Sequence, residues 1–273
     1  MASSNTLPLR PSVQVDADTP WKNLKLLILA GGKSTRMGSP KHLLVMPDGR
    51  PLYQHQIDIL REACPEAKTI YISLAQDSDM DDFLRRASKS QLNCTGQEKR
   101  STVSNNDKRV EIILDSESSE AEESKGPAAG LLAAFESDSE ATWLVVACDY
   151  PCITSAALQQ LQSLYKPPVT CFRNKQGFCE PLLGIWSPAA ISHLKNNCER
   201  GKLSPSKAVY ELDGYMHIPE LNSEVLLRNV NTKSEWESAL RRLADIPSDH
   251  FEAQMLYTLS NSPAQDTKTS FIG

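Results

Sequence analysis

Short apolar runs alternate along the chain with segments whose apolar residues recur at helical spacing. Runs of strand length occur at Lys25–Ala30, Thr69–Leu74, Val110–Leu114, Trp143–Cys148, Val169–Phe172 and Leu182–Trp186. Strands that alternate with helices usually pair in parallel, and the helices then cover both faces of the sheet. The pattern therefore predicts an α/β protein with a largely parallel sheet.

Three segments have the spacing of amphipathic helices. The positions that follow this spacing are Leu52, Gln56, Ile59, Leu60 and Ala63 in the first, and Ala157, Leu158, Leu161 and Leu164 in the second. In the third, Thr232-Lys-Ser-Glu235 is typical of a capping box, in which the two outer side chains bind free amides at a helix start. It predicts a final helix that buries Trp236, Ala239, Leu240 and Leu243.

Polar stretches divide the chain into an expected domain and its appendages. Residues 88–108 and 116–125 are too polar to bury enough surface for ordering, so we expect disordered surface insertions there. Residues 1–22 and 246–273 have a similar composition, which predicts a disordered N-terminal arm and a flexible C-terminal tail. Residues 23–245 are then predicted to form one domain that carries both insertions.

The overall charge and the cysteine usage narrow the class of protein. The 273 residues have a formal net charge of -5 and a pI near 5.6, which favours neither nucleic acid nor an anionic membrane as a partner. No run has the length of a membrane span, and the first twenty residues do not resemble a signal peptide. Seven dispersed cysteines without a C-x-x-C pair argue against a secreted disulfide framework. We therefore expect a cytoplasmic protein.

A glycine turn rich in cations follows the first predicted strand. Leu29-Ala-Gly-Gly32 leads into a loop with Lys33 and Arg36, and Lys41 follows shortly after. Glycines let a ligand approach the backbone, and the cations suit phosphate groups. The turn is no P-loop, because Leu27 stands where that motif requires glycine, and no G-x-G-x-x-G follows the strand.

The stretch LAGGKSTRMGSPK, residues 29–41, resembles the signature of nucleotidyltransferases with a Rossmann-like fold, in particular the molybdenum cofactor guanylyltransferases. Further segments resemble that family in the same order: Asp115 followed by Gly126–Gly130, Cys148-Asp149-Tyr-Pro151, and Asn229-Val-Asn-Thr232. The matches run from about residue 25 to 243. The resemblance implies a Rossmann-like three-layer α/β fold with a mostly parallel sheet.

The chemistry of nucleotidyl transfer calls for residues of these types. An anionic phosphate attacks the α-phosphate of a nucleoside triphosphate, so negative charge must be neutralised on both reactants. Gly31 and Gly32 would admit the nucleotide, while Arg36 and Lys41 would bind the triphosphate and the leaving pyrophosphate. Asp149 follows a buried strand, where open α/β sheets bind ligands, and would hold Mg²⁺.

The resemblance implies a fuller set of site residues. As catalytic residues it implies Lys41, Arg36 and Asp149, with Asp149 as the metal ligand; as nucleotide-binding residues it implies Leu29, Ala30, Gly31, Gly32, Lys41, Ser73, Asp115 and Asp149. On the acceptor side it implies Glu180, Arg200, Lys202 and Asn231. The implied reaction transfers GMP from GTP to a molybdopterin-type molybdenum cofactor with release of pyrophosphate, and molybdoenzyme-assembly proteins are expected as further partners.

Alternatives stay open at this point. Taken singly, Arg36 and Lys41 also suit a solvated surface, and Asp149 also suits a turn or a helix cap. Ser39-Pro40-Lys41 resembles the Arg-Pro-Lys of cytidylyltransferases, and Ser73 stands where the guanylyltransferases have a nucleotide-binding asparagine. A cytidylyltransferase or sugar-phosphate nucleotidyltransferase, or a catalytically inactive nucleotide-binding relative, therefore remains an alternative.

Overall fold

The computed structural model describes residues 23–31, 40–75, 109–115, 126–220 and 223–244. The predicted arm at 1–22, the insertions at 88–108 and 116–125, the tail at 246–273, Gly32 and Arg36 lie outside these residues.

Strands of the described residues form one seven-stranded sheet in the order β3-β2-β1-β4-β6-β5-β7. The strands are β1 (Leu24–Leu29), β2 (Thr69–Leu74), β3 (Arg109–Leu114), β4 (Thr142–Ala147), β5 (Val169–Arg173), β6 (Cys179–Trp186) and β7 (Tyr215–His217). Neighbours pair in parallel except at β6, which is antiparallel to both β4 and β5. The prediction of a largely parallel sheet is confirmed.

Helices pack in pairs over this sheet. Those of the described residues are α1 (Leu52–Ala63), α2 (Pro127–Ser137), α3 (Ser155–Ser163), α4 (Pro188–Glu199), α5 (Pro205–Glu211), α6 (Ser223–Leu226) and α7 (Lys233–Ala244). Helix α1 packs against α3, and α2 packs against α4. The crossover through α1 runs from β1 to β2, and the crossover through α2 runs in the opposite direction, from β3 to β4, so right-handed connections place α1 and α2 on opposite faces of the sheet. The two helix pairs and the sheet form three layers.

The central strands are apolar throughout because helices cover both of their faces. Leu26, Leu27 and Ile28 of β1 are fully buried, as are the largest core side chains, Trp143 and Trp186. Such continuous burial explains why strands in the middle of a parallel sheet appear in the sequence as unbroken apolar runs.

The capping signal at Thr232 placed the start of α7 correctly. The Thr232 and Glu235 side chains form the predicted capping box: Glu235 N–H donates to Thr232 Oγ1 (3.3 Å) and Thr232 N–H donates to Glu235 Oε2 (2.9 Å). Thr154 caps α3 in a similar way by accepting from the Ala157 N–H. Trp236 and Ala239 are buried, as the helical spacing of the last segment predicted.

One strand prediction needs correction, and one strand was not predicted. Strand β6 begins at Cys179 rather than at Leu182, because the polar Glu180 and the proline after it interrupt the apolar pattern without ending the strand. Strand β7 was not predicted, since Tyr215–His217 is short and only half-buried. None of the helices in the described part of the chain is both long and apolar enough to cross a membrane.

Candidate functional site

The carboxyl ends of the parallel strands meet at one edge of the sheet. Leu29 in β1 is in register with Ser73 in β2 and with Ala147 in β4, so these strands end at one level. Gly31 and Asp149 therefore follow neighbouring strands at the same edge, where open α/β sheets bind ligands. We call the space above this edge the crevice.

Lys41 and Asp149 meet at the crevice. Lys41 begins a short 3-10 helix, Lys41–Leu43, and its Nζ donates to Asp149 Oδ1 at 2.7 Å and to Asn231 Oδ1 at 2.8 Å. The two charged side chains are 15% and 29% exposed, so the pair is partly shielded but still open to a ligand. Asp149 and Asn231 lie 108 and 190 positions after Lys41 in the sequence, and the fold brings both to its ammonium group.

Asn231 is held in place through its backbone. The neighbouring Val230 N–H donates to the Asp149 carbonyl oxygen (2.8 Å), which ties this loop to the end of β4. The Asn231 N–H donates to Glu235 Oε2 (2.8 Å), the same oxygen that closes the capping box of α7. The helix cap therefore also orients a residue of the candidate site.

Gln56 of α1 fixes the end of β4 through two side-chain hydrogen bonds. Its Nε2 donates to the Ala147 carbonyl oxygen (3.0 Å), and its Oε1 accepts from the Cys148 thiol (3.3 Å). Gln56 is 1% exposed, so it pairs buried polar groups directly before Asp149. The sequence pattern assigned Gln56 only to a packing helix, because nothing local indicates a partner 91 residues away.

His42 is a second buried residue beside the site. It is 2% exposed, and burial lowers the pKa of its imidazole to about 4, so the ring is neutral at physiological pH. Among the described residues neither ring nitrogen of His42 has a hydrogen-bond partner, so the ring is held by packing beside the Ala30 backbone. The turn that presents Lys41 is thereby packed against the end of β1.

Gly31 lies directly against Asp115, which follows β3. A Cβ atom built on Gly31 would come within 2.8 Å of Asp115 Oδ2 and 3.5 Å of the Ala75 nitrogen. Asp115 is 4% exposed, and its N–H donates to the Leu74 carbonyl oxygen (2.9 Å). The absence of a side chain at residue 31 therefore lets a buried carboxylate approach the backbone of the glycine turn.

Ser73 differs from its sequence-based placement. Its side chain is 1% exposed and faces α2, where a Cβ on Gly130 would lie 2.9 Å from Ser73 Oγ. The hydroxyl is thus packed beneath a helix and presents no surface to the crevice. Only the Ser73 backbone belongs to the site's framework, since its carbonyl oxygen accepts from the Ala30 N–H (2.9 Å).

Leu29 and Ala30 likewise contribute through the backbone. Their side chains are 8% and 9% exposed, and the Leu29 carbonyl oxygen accepts from the Cys148 N–H (3.0 Å). They fix the spacing between the ends of β1 and β4, and Gly31 is the exposed residue that follows.

A polar network continues from Asn231 across to β6. Asn231 Nδ2 donates to Asn229 Oδ1 (2.6 Å), and the Asn229 side chain is near enough to Tyr150 to lower the pKa of its hydroxyl. The Tyr150 hydroxyl donates to Glu180 Oε2 at 2.6 Å. Burial raises the pKa of both Tyr150 and Glu180, and the hydrogen bond from Tyr150 partly offsets the shift at Glu180. The reversed direction of β6 is what places Glu180, near the start of that strand, at the crevice.

Arg200 and Lys202 follow α4, which runs back towards the crevice edge after β6 has left it. Both side chains are exposed, and among the described residues neither joins the network that contains Lys41 and Glu180. The topology therefore places Arg200 and Lys202 near the crevice edge of the sheet. They take no part in the hydrogen bonds that the described part of the chain forms between the other predicted residues.

The donor set is compatible with magnesium. Within the described ranges, no group of three or more His, Cys, Asp or Glu side chains is arranged to hold a metal ion. Magnesium is commonly bound by one or two carboxylates together with substrate phosphates, a pattern that the partly exposed Asp149 fits.

An open sheet whose glycine turn, lysine and aspartate share the carboxyl edge is typical of nucleotidyltransferases with a Rossmann-like fold. The family model for the MobA-like NTP transferase domain matches residues 26–213. The chain belongs to this family and is therefore a nucleotidyltransferase.

Relatives by sequence cover most of the chain at low identity. A molybdenum cofactor biosynthesis bifunctional protein of Synechocystis is 28% identical over 223 residues, which is 81% of this chain and 54% of that protein. A molybdenum cofactor guanylyltransferase of Pseudomonas fluorescens is 26% identical over 230 residues, which is 80% of this chain and 99% of that protein. The chain thus spans about half of the bifunctional relative and nearly the whole of the other.

Solved structures with the same fold include two nucleotide-related proteins. A molybdopterin-guanine dinucleotide biosynthesis protein A from Archaeoglobus fulgidus has a TM-score of 0.56 at 17% identity, covering 81% of this chain and all of that one. A cytidylyltransferase from Leptospira borgpetersenii has a TM-score of 0.58 at 14% identity, covering 92% of this chain and 99% of that one. At such identities the likeness concerns the fold alone.

Proposed function

We propose that the protein transfers GMP from GTP to the terminal phosphate of a molybdopterin-type acceptor and releases pyrophosphate. The observation that carries the proposal is the contact of Lys41 with both Asp149 and Asn231, at 2.7 and 2.8 Å, at the carboxyl edge of the sheet. Names of the sequence relatives, which refer to molybdenum cofactor biosynthesis and to guanylyltransferases, support the choice of nucleotide and acceptor.

In the proposed reaction, an oxygen of the acceptor phosphate forms a bond to the α-phosphorus of GTP. The bond from that phosphorus to the oxygen bridging the α- and β-phosphates breaks, and this oxygen leaves with pyrophosphate. The protein supplies no nucleophile, so its contribution is positioning and charge neutralisation. Magnesium, when bound, would neutralise phosphate charge and orient the phosphate groups.

Each side chain has a distinct proposed role. Lys41 binds the triphosphate and stabilises the charge that develops on the leaving pyrophosphate, and Arg36 assists from the preceding loop. Asp149 is the metal ligand, and it keeps Lys41 paired and oriented when the nucleotide is absent. Gly31 and Gly32 admit the nucleotide to the backbone, and Asp115 accepts hydrogen bonds from the ribose or the base.

The acceptor is proposed to bind on the β6 side of Asp149. Glu180 and Asn231 lie there in the polar network, and Arg200 and Lys202 follow α4 at the same edge. This division places the attacking phosphate and the leaving pyrophosphate on opposite sides of the α-phosphate, as an in-line displacement requires.

The decisive experiment offers GTP, CTP and UTP separately with molybdopterin and measures pyrophosphate. We expect release with GTP, loss of release after magnesium is chelated, and loss of release in Asp149→Asn. Turnover of CTP instead would replace guanylyl by cytidylyl transfer, as the Ser39-Pro40-Lys41 segment would then indicate. Binding of GTP without transfer to any acceptor would favour an inactive relative.

A further inference from the structure

The largest exposed apolar side chain at the crevice edge is Phe178, directly before β6. It is 67% exposed, the highest value among the large hydrophobic residues that the described part of the chain exposes. Its backbone is fixed rather than loose, because Phe178 N–H donates to Asn174 Oδ1 (3.0 Å) and its carbonyl oxygen accepts from Asn174 N–H (2.9 Å). An exposed aromatic ring on an ordered hairpin offers a preformed apolar face on which a flat ligand can stack.

Phe178 shares a face of the hairpin with Glu180. Arg173 pairs with Cys179 and Phe172 pairs with Glu180, so the register is regular over this part of the hairpin and side chains alternate between faces. Cys179 faces α5, where its thiol lies 4.0 Å from the Ser206 carbonyl oxygen. Phe178 and Glu180 therefore project from the opposite face, about 7 Å apart along the strand.

That face adjoins the reacting centre. Glu180 accepts the hydrogen bond from Tyr150, and Tyr150 directly follows Asp149 in the chain. A flat aromatic group resting on Phe178 would thus have a carboxylate at its edge and the Asp149 region beyond that carboxylate. An ionised carboxylate can accept two parallel hydrogen bonds from one ligand edge.

We infer that Phe178 and Glu180 form the subsite for the pterin ring of the acceptor, with the ring stacked on Phe178 and its 2-amino and N3–H groups donating to Glu180. The inference rests on the proposed function and adds the residues that select the acceptor. Guanine carries an equivalent pair of donors. The pterin is favoured because the glycine turn and Asp115 take the nucleotide on the other side of Asp149.

The test compares four variants by two readouts. Kinetics in the transfer assay give separate KM values for GTP and molybdopterin, and a fluorescence titration with 6-hydroxymethylpterin gives a dissociation constant without turnover. The variants are Phe178→Ala, Phe178→Tyr, Glu180→Gln and, as the control, Tyr210→Ala. Tyr210 is 49% exposed and donates to the Gly177 carbonyl oxygen, so it contacts the same hairpin from α5.

Phe178→Ala should raise the molybdopterin KM and the pterin dissociation constant by about 5- to 100-fold, the range that loss of one stacking contact produces. Phe178→Tyr should restore both values, Glu180→Gln should raise both, and Tyr210→Ala should change neither. The KM for GTP should stay within about twofold in every variant, because none of these residues is on the glycine side of Asp149.

Several results would overturn the inference. If Phe178→Ala leaves both acceptor values unchanged, the ring has no role in acceptor binding. If it raises the KM for GTP instead, guanine occupies this face. If it only lowers the melting temperature, another part of the chain covers the ring. A wild-type protein that binds the pterin but transfers nothing would end the proposed function and leave the subsite standing.

Discussion

On one side of Asp149 the strands β1, β2 and β3 are all parallel, and they reach the crevice with backbone and buried side chains. There Gly31 contacts the buried Asp115, and Ser73 is packed beneath α2. On the other side the reversed β6 begins at the crevice, and it contributes Glu180, which accepts a hydrogen bond from the Tyr150 hydroxyl. The first side is built from backbone and buried side chains, and the second from side-chain hydrogen bonds.

Under the proposed function, this difference lets one sheet accommodate two substrates. Parallel strands all end in the same direction, so they present backbone amides and carboxyl-terminal loops at one edge. Reversing a single strand brings residues from its start to that edge without a long connection. Lys41 and Asp149 lie at the boundary and belong to both sides.

The strongest test of this boundary removes the pair itself. Lys41→Met and Asp149→Asn should each lower the rate of pyrophosphate release by about 10²- to 10³-fold, because each removes charge stabilisation of the phosphates. The double variant should lose little more than the worse single one, since residues that act as a unit are not additive. Rates are measured at saturating GTP and acceptor, with the fold checked by circular dichroism.

Lys195→Met, at a half-buried position in the second half of α4, is the matched control for loss of a lysine. It should leave the rate unchanged. Full independence of the two single effects, so that their fold-losses multiply, would show that Lys41 and Asp149 do not act on the same phosphates.

Local signals carried most of the fold. The capping box from Thr232 to Glu235 and the strand from Thr69 to Leu74 needed only neighbouring residues to be recognised, and both are present as predicted. The direction of β6 could not be predicted, because apolar periodicity carries no information on which way a strand runs. The start of β6 at Cys179 was also missed, because the polar Glu180 interrupts the apolar pattern. Its carboxylate accepts from Tyr150, which lies outside the strand.

In the candidate site, too, some features could be predicted from the sequence and others could not. Motif residues such as Lys41 and Asp149 could be selected from sequence because each lies in a recognisable segment. Their contact with one another, and the support from Gln56, join segments about a hundred residues apart and follow only from the packed sheet. The end of a strand indicates an edge position for Ser73 but not which way its side chain faces, and that side chain packs against α2.

The second prediction concerns the buried His42, which packs beside the glycine turn. Because burial lowers the pKa of His42 to about 4 from 6.5, the unfolded state binds more protons between these values. The stabilisation from keeping His42 neutral is complete above about pH 6.5 and is lost as the pH falls towards 4. It amounts to at most roughly 3 kcal/mol, since each pKa unit is worth 1.36 kcal/mol.

Urea unfolding at pH 7 and pH 4.5 measures this loss, and His42→Leu should reduce the difference between the two pH values. Burial also lowers the pKa of His55, so His55→Leu provides the comparison for a half-buried histidine in the first half of α1. An unchanged pH dependence in His42→Leu would show that protonation of this turn does not govern acid sensitivity.

A smaller effect is expected from filling the space beside Asp115. Gly31→Ala places a methyl group 2.8 Å from Asp115 Oδ2, and overpacking of this kind costs roughly 1–3 kcal/mol. The KM for the nucleotide should rise about tenfold while the acceptor KM stays the same. Gly49→Ala is the control, because it strains a turn with φ of 82° but meets no neighbouring atom. Equal changes in both KM values would mean that the two sides are not separate.

The smallest effect should come from the cap that orients Asn231. Glu235→Ala removes the oxygen that accepts from both the Asn231 and Thr232 amides, and loss of a helix cap costs about 1 kcal/mol. Thermal unfolding should register that cost, and the acceptor KM should rise a fewfold while the nucleotide KM is unchanged. Glu237→Ala, at an exposed position of the same helix, should do neither. A rise confined to the nucleotide KM would assign Asn231 to the glycine side and reverse the division of the crevice.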